Sequence, residues 1–354
     1  MKICLCPDLH IDLRTAAAGR DPEIGLNRRQ IDMIDAFSRF SAKVVSTKAD
    51  VVIFPGDFFH SNQPSWFSFY SAYRVLFDMM LKMPDTFFLF FDGNHDAPSS
   101  SVNSPLKALT YCLPPSGQSS FPEWRYVEDM ETVSVSGFDF FIVPGRNQCI
   151  QSFQKILKDD SFKCDVVSGH FAITDTGIPY YGRQGIDLFS VKNLKGAFLG
   201  DLHIPFRRGN VFYSGALERT TFGEEGREVG FWLIDMTPYY EEWKAEFVPL
   251  DARRLITIHD AAIIDLSKQP KIILDSQRMR IEKAVEGCLV RYKGNDQNIL
   301  AILREHAWGL QHEPVQVGQV DLEAIRRKTG KKGRSIVDLW NDFASSCMLD
   351  EVVI

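Results

Sequence analysis

The sequence lacks the features of a membrane protein, a secreted scaffold or a nucleic-acid coat. No apolar stretch reaches the roughly 18 residues that a spanning helix needs. Met1-Lys2 leads straight into a strand-like apolar run, without the leader expected of a secreted chain. The 7 cysteines contain no Cys-x-x-Cys pair. An odd set of this kind fits reduced thiols in a cytoplasmic protein better than a disulfide framework. A positive excess is missing too: 40 Lys and Arg face 46 Asp and Glu, for a net charge of −6. Residues 251–354 are near balance, with 16 Lys and Arg against 15 Asp and Glu, whereas residues 1–250 hold 24 against 31. A polyanionic partner would therefore be met by local basic clusters and bound cations, not by a global field. There is no internal repeat and no low-complexity tract.

What is present is an ordinary globular composition, 45% apolar and 24% charged over 354 residues, enough for two domains or for one with an appendage. Five short apolar runs end in metal-ligand residues. Ile3-Cys4-Leu5-Cys6 runs into Asp8-Leu9-His10, and Val51-Val52-Ile53-Phe54 into Gly56-Asp57. Phe87-Phe88-Leu89-Phe90-Phe91 runs into Gly93-Asn94-His95-Asp96, Val166-Val167-Ser168 into Gly169-His170, and Ala197-Phe198-Leu199 into Gly200-Asp201-Leu202-His203. Such runs read as buried strands, and the ends of strands in an open α/β sheet are where ligands bind.

Between them the apolar periodicity turns helical. Ile31, Ile34, Phe37, Phe40, Val44 and Val45 form one stripe; Trp66, Phe69, Tyr70, Tyr73, Phe77, Met80 and Leu81 form a second, expected to pack in the core. The alternation predicts a largely parallel sheet with helices on both faces. From Glu131 short strands follow at 132–135, 138–143, 211–213, 229–234 and 243–248, which suits a second sheet packed on the first. Pro249-Leu250-Asp251 reads as a hinge, dividing the chain into 1–250 and 251–354. Beyond it, 255–259 and 289–292 read as strands, and 297–306 and 335–344 as short helices.

Phosphodiester hydrolysis needs a hydroxide at neutral pH, an electrophile on the non-bridging oxygens and a proton for the leaving oxygen. Two metal ions about 3.5–4 Å apart supply the first two when a carboxylate bridges them. Asp57, alone after a strand and a glycine, suits the bridge. Asp8 and His10, at i and i+2, would share one face of an extended chain. Asn94 offers a neutral oxygen beside His95, leaving that imidazole to act as an acid. Oxygen and imidazole donors without thiolate favour Mn²⁺, Fe²⁺ or Zn²⁺. Cys4 and Cys6 lie within the strand and are not counted as ligands. Each fragment is weak alone; five in one order are a strong signal. His60 is expected to play a supporting or surface role, and His259, His306 and His312 have no companions.

Together these motifs resemble the calcineurin-like metallophosphoesterase superfamily over roughly the first 205 residues. Gly93-Asn94-His95-Asp96-Ala97-Pro98, Tyr213-Ser214-Gly215-Ala216-Leu217-Glu218-Arg219-Thr220-Thr221-Phe222-Gly223-Glu224 and Gly230-Phe231 are similar to its SbcD family of DNA nucleases. The resemblance implies a two-sheet β-sandwich with flanking helices and a small C-terminal α/β DNA-capping domain. It implies one metal held by Asp8, His10, Asp57 and His203, a second held by Asp57, Asn94, His170 and Asp201, and His95 as general acid. Position 201 departs from the family, where a histidine is usual. The activities implied are double-strand exonuclease and single-strand endonuclease action, in a pair of nuclease subunits working with an SbcC-like coiled-coil ATPase.

Two rival readings share the fold: a phosphatase or cyclic-nucleotide phosphodiesterase, and a non-catalytic subunit that docks the ATPase on DNA. The cluster Arg326, Arg327, Lys328, Lys331, Lys332 and Arg334 packs six positive charges into nine residues, and reads either as a solvated loop or as a phosphate contact. Arg207 and Arg208 follow His203 and are candidates to hold a phosphate near the metals. Ile336, Leu339, Trp340 and Phe343 form an amphipathic stretch suited to the ATPase.

Overall fold

Each of the first three apolar runs is buried on both faces, and that explains why it is apolar throughout instead of alternating. In β1 (Lys2–Leu5), β2 (Val51–Phe54) and β3 (Phe87–Phe91), Ile3, Leu5, Val51, Ile53, Leu89 and Phe91 point into a core shared with a second sheet. Cys4, Val52, Phe54, Phe88 and Phe90 point the other way, against α1 (Arg28–Thr47), α2 (Trp66–Leu81) and α3 (Pro105–Tyr111). The computed structural model describes residues 1–98, 103–118, 120–159, 162–174, 176, 185–191, 194–237, 241–259 and 271–314, with the side chains of 271–277 left aside. The basic cluster of 326–334 and the amphipathic stretch of 335–344 lie outside the described residues.

The helices start where side chains satisfy their first backbone N–H groups. Asn27 accepts from Arg29, Ser65 from Ser68, and Ser104 from Lys107, with Pro105 in the first turn of α3. Helix α1 buries Met33, Phe37, Phe40 and Val44 along one stripe. Helix α2 departs from expectation. It buries Ser68, Ala72, Leu76, Met79 and Met80, while Trp66 is 86% exposed and Tyr70 and Leu81 also face solvent. Because it is apolar nearly all round, its sequence does not select the buried face.

The first sheet also contains β4 (Trp124–Val127), β11 (Gly230–Asp235) and β12 (Lys244–Pro249), in the order β12-β11-β1-β2-β3-β4. Strands β1 to β4 run parallel, and β11 and β12 join antiparallel beside β1. The last two strands thus extend the first sheet and not the second, a correction to the sequence expectation. The second sheet holds β5 (Glu131–Val135), β6 (Phe138–Val143), β7 (Val166–His170), β8 (Gly196–Gly200), β9 (Phe206–Arg208) and β10 (Val211–Tyr213), in the order β5-β6-β7-β8-β10-β9. Its outer face packs against α4 (Asn147–Ile156) through Cys149, Phe153, Val167 and Phe171. Helices therefore lie outside a sheet-on-sheet sandwich, not on both faces of one sheet.

A three-stranded parallel sheet follows: β13 (Leu255–His259), β14 (Leu289–Lys293) and β15 (Gly309–Glu313), connected through α5 (Lys271–Val285) and α6 (Gln297–His306). Val285, Val290, Tyr292, Ile299 and Leu303 form its core. No helix among the described residues is long and apolar enough to cross a membrane.

Candidate metal centre

The chain leaves β1, β2 and β3 of one sheet and β7 and β8 of the other at the same end of the sandwich, so five loops converge. Backbone bonds fix their relative positions. The Asp57 carbonyl accepts from both Leu9 and His10, and Asp8 donates to Gly215 while its carbonyl accepts from Leu217. The buried Asp96 carboxylate accepts from the N–H groups of Phe58, Phe59 and Gly93, tying the second loop to the third. His10, Asp57 and Asp201 have φ of 45°, 48° and 87°. Left-handed backbone costs an L-residue ~1–2 kcal/mol, and such strain gathers at functional sites. His10 thus reaches the site through a turn and not along an extended face, which corrects the i, i+2 expectation.

Two groups of ligand atoms result. In the first, His10 Nε2 lies 2.8 Å from His203 Nε2 and 3.6 Å from Asp57 Oδ2, and His203 Nε2 lies 3.9 Å from Asp8 Oδ2. In the second, His170 Nε2 lies 3.1 Å from Asn94 Oδ1, 3.3 Å from Asp57 Oδ2 and 3.8 Å from Asp201 Oδ1. Donors each about 2.0–2.2 Å from one ion stand at most about 4.4 Å apart, and all six distances lie within that limit, so both groups suit a cation. Asp57 Oδ2 belongs to both.

Other observations agree. Asp8 Oδ1 is buried with no hydrogen-bond partner, an uncommon condition for a carboxylate oxygen. A Cβ on Gly93 would come within 2.1 Å of Asp57 Oδ1, and one on Gly200 within 2.7 Å of Asp8 Oδ1 and His170 Nδ1. The glycines preceding Asn94 and Asp201 are thus the space the ligands occupy. The residues present fit two divalent cations.

Electrostatics point the same way. Burial pushes the Asp8 carboxyl up to about 7, helped by the Asp57 charge and opposed by His170 and His203. Burial also pushes Asp57 up, but the His170 imidazole outweighs it, with His10 and His95, and holds the group well below the usual carboxylate range. Burial drives His10 well below the ordinary imidazole value, so it is neutral and free to ligate. His170 is driven down by burial but carried well above its ordinary value by Asp57, Asp8 and Asp201. The site calls for positive charge at its centre.

His95 sits beside this set. Its backbone N–H donates to Asp57 Oδ1, and its Nδ1 lies 2.8 Å from the His60 carbonyl. With Nδ1–H donating there, Nε2 is left to exchange a proton. His60 stacks on the His95 ring at 5.1 Å, and its Nδ1 lies 3.4 Å from His10 Nδ1. It is therefore part of the imidazole cluster, nearer than expected. Sequence reasoning missed Thr220 and Glu224, which meet His203 at Nδ1. No spacing from His203 marked them; the only signal was their place in the Tyr213–Glu224 stretch quoted above for its resemblance.

The other candidates are placed elsewhere. The Arg207 guanidinium donates to Glu242 and to the Gly209 and Trp243 carbonyls, and Arg208 lies over the Phe189 ring at 4.2 Å. His306 lies 3.3 Å from Glu282, and His312 stacks on Tyr292. Cys4 and Cys6 are buried in the strand and its exit, away from the ligand set.

Comparison with known proteins places this geometry in a family. The DNA double-strand break repair protein Mre11 of Nanoarchaeum equitans (strain Kin4-M) is 23% identical over 267 residues, which cover 68% of this chain and 70% of that protein. A solved archaeal phosphodiesterase is 16% identical, with a TM-score of 0.34, covering 70% of this chain and 100% of its own. The model of the calcineurin-like phosphoesterases matches residues 1–205, a span that holds all five ligand-bearing loops. On that match the chain belongs to the calcineurin-like phosphoesterase family, metal-dependent enzymes that bind two divalent ions.

Proposed function

We propose that this protein is a metal-dependent DNA nuclease. The observation that carries the reading is the Asp57 carboxylate, 3.6 Å from His10 on one side and 3.3 Å from His170 on the other, with His95 beside it. In this reading Asp8, His10, Asp57 and His203 hold one ion, and Asp57, Asn94, His170 and Asp201 hold the other, Mn²⁺ first among the metals these donors suit, with Fe²⁺ and Zn²⁺ the alternatives. When bound, the ions supply an activated water at neutral pH and draw charge from the non-bridging phosphate oxygens. Asp57 would be the residue shared by both ions. His95, oriented by the His60 carbonyl, delivers the proton that the leaving 3′ or 5′ oxygen requires. Glu224, Asp96 and the strand ends keep these groups in place while the scissile phosphate lies over them.

DNA as substrate is supported by the likeness to Mre11 and by the third sheet, which a small phosphoester has no use for. Residues 1–250 form the nuclease domain in this reading and 251–354 the DNA-capping domain and C-terminal partner-binding segment. Arg326, Arg327, Lys328, Lys331, Lys332 and Arg334 are its phosphate contacts, with the exposed Arg208 a further one; Arg207 is committed to Glu242. The activities proposed are double-strand exonuclease and single-strand endonuclease action in recombination or repair, with an SbcC-like ATPase. Two nuclease subunits would act together, and the exposed Trp66, Phe67 and Tyr70 of α2 offer an apolar surface for that pairing. Six free cysteines among the described residues suit a reducing cytoplasm.

The test uses two substrates. Neutralising the six charges of 326–334 should weaken cleavage of duplex DNA while sparing a small chromogenic phosphodiester in Mn²⁺. Each lost phosphate contact should flatten the log–log salt dependence of duplex binding by about 0.9. Hydrolysis of the chromogenic diester with no action on DNA by the unaltered protein would overturn the nuclease reading and leave a small-molecule phosphodiesterase.

A further inference from the structure

Three of the site's imidazoles have an oxygen at Nδ1. His170 Nδ1 lies 2.8 Å from the Pro55 carbonyl, His95 Nδ1 lies 2.8 Å from the His60 carbonyl, and His203 Nδ1 lies 2.7 Å from Glu224 Oε1. A carbonyl only accepts, so the first two rings carry their proton on Nδ1. His203 alone is held by a side chain, and by a carboxylate. Glu224 is itself held: its Oε2 accepts from the Thr220 backbone N–H at 2.6 Å, and its Oε1 accepts from the Thr220 hydroxyl at 2.9 Å. The turn that bears it, Phe222–Glu224, is braced from the third sheet. The Arg291 guanidinium lies over the Phe222 ring at 4.9 Å, and Thr257 donates its N–H to Glu225.

We infer that Glu224 is a positioning residue for the metal centre, fixing the His203 proton on Nδ1 so that Nε2 faces Asp8 and His10 as an unprotonated donor. This rests on the proposed ligation by His203 and goes beyond it in assigning a role outside the ligand set. A carboxylate behind a ligating imidazole orients the ring and raises its basicity, and losing such a partner typically costs 10–100-fold in metal affinity. Neither backbone carbonyl behind His170 or His95 carries this charge. The His203 side of the site therefore depends on a residue that the third sheet holds in place.

Glu224→Gln is the sharpest variant because it keeps size and reverses one hydrogen bond. The Thr220 N–H requires an oxygen at the Oε2 position, so the amide NH₂ must take the Oε1 position and face His203 Nδ1. Nδ1 then becomes an acceptor and the proton moves to Nε2, where it blocks ligation. The experiment is Mn²⁺ calorimetry on the full chain with ¹⁵N spectra of the histidine rings, His203 being assigned by its loss in His203→Gln. The wild type should bind two equivalents and show His203 protonated at Nδ1. Glu224→Gln should weaken one equivalent by about 10–100-fold, leave the other unchanged and show the proton on Nε2. Glu224→Ala, which removes the carboxylate and leaves the Thr220 hydroxyl, 3.2 Å from Nδ1 and able to donate or accept, should mix the two tautomers and lose less affinity than Gln. Thr220→Val should leave the His203 tautomer as in the wild type.

Unchanged affinities and an unchanged His203 tautomer in Glu224→Gln would overturn this inference alone. So would equal loss in Thr220→Val, which would make the Thr220 hydroxyl, and not the carboxylate, responsible. A wild type that binds no Mn²⁺ would overturn the metal-centre reading, and this inference with it.

Discussion

Two of the clusters of buried acids among the described residues obtain their countercharge in opposite ways. Beside the third sheet, Asp32 and Glu218 surround the fully buried Arg29, whose guanidinium lies 2.8 Å from Asp32 and 3.3 Å from Glu218; Arg253 pairs with Asp32 at 2.7 Å and stacks over Trp308. These are permanent charges provided by the chain. At the strand ends, the charged partners of Asp8 and Asp57 are histidines, and Asp8 Oδ1 has no hydrogen-bond partner. A buried carboxylate is tolerated when it is paired, bound to a metal or, like Asp96, hydrogen-bonded by backbone N–H groups. The arginine cluster is closed and holds elements together; the histidine cluster is open to cations from solution. Burial alone does not separate structural from functional acids. The kind of countercharge does.

Each expectation below breaks or sharpens that contrast. Asp57→Asn has the largest effect: hydrolysis should fall below detection and Mn²⁺ binding by calorimetry should drop from two equivalents to none, because one carboxylate leaves both ligand groups. Two equivalents retained would end the bridging assignment. In the wild type, Mn²⁺ at about 100 times its dissociation constant should add about 2.7 kcal/mol of stability per site in denaturant melts, and Asp57→Asn should remove this gain.

His95→Asn takes away a proton donor and none of the proposed metal ligands. Turnover should drop about 10²–10⁴-fold with metal content unchanged; equal loss of metal would make His95 a ligand.

Arg29→Ala is the converse of Asp57→Asn. It leaves Glu218 with the more distant Arg39 guanidinium at 3.6 Å and the Arg253 N–H, weakens the hold on Asp32, and should cost about 3–5 kcal/mol of unfolding free energy, read from denaturant midpoints. The Mn²⁺ increment should survive in that variant. Loss of the increment along with stability would mean that the two clusters are not separate.

Asp201→His should have the smallest effect, exchanging one carboxylate for the imidazole usual in the family. Mn²⁺ should bind the second group as tightly or more tightly, and hydrolysis should be unchanged or faster. A large fall in activity would show that the left-handed turn at Asp201 is built around a carboxylate.

The open cluster was visible in the sequence because its five approaches are buried on both faces, leaving unbroken apolar runs that stop at a ligand. The closed cluster was not. Arg29, Asp32, Glu218 and Arg253 come from three separate segments, and nothing in their spacing brings them together. Sheet membership of β11 and β12 was hidden for a similar reason, since the residue pattern of a strand does not say which sheet it extends. Helix α2 misled through excess: with apolar residues on every side, periodicity could not tell that Trp66 and Tyr70 face solvent. Turns were the other blind spot, because the left-handed backbone at His10 leaves no mark on Asp8-x-His10.

The most direct test of the open cluster is anomalous diffraction from crystals equilibrated with Mn²⁺. Two peaks about 3.5–4 Å apart are expected, both touching Asp57, one also touching His203 and the other His170. A single peak, or peaks that do not share Asp57, would contradict the two-metal account.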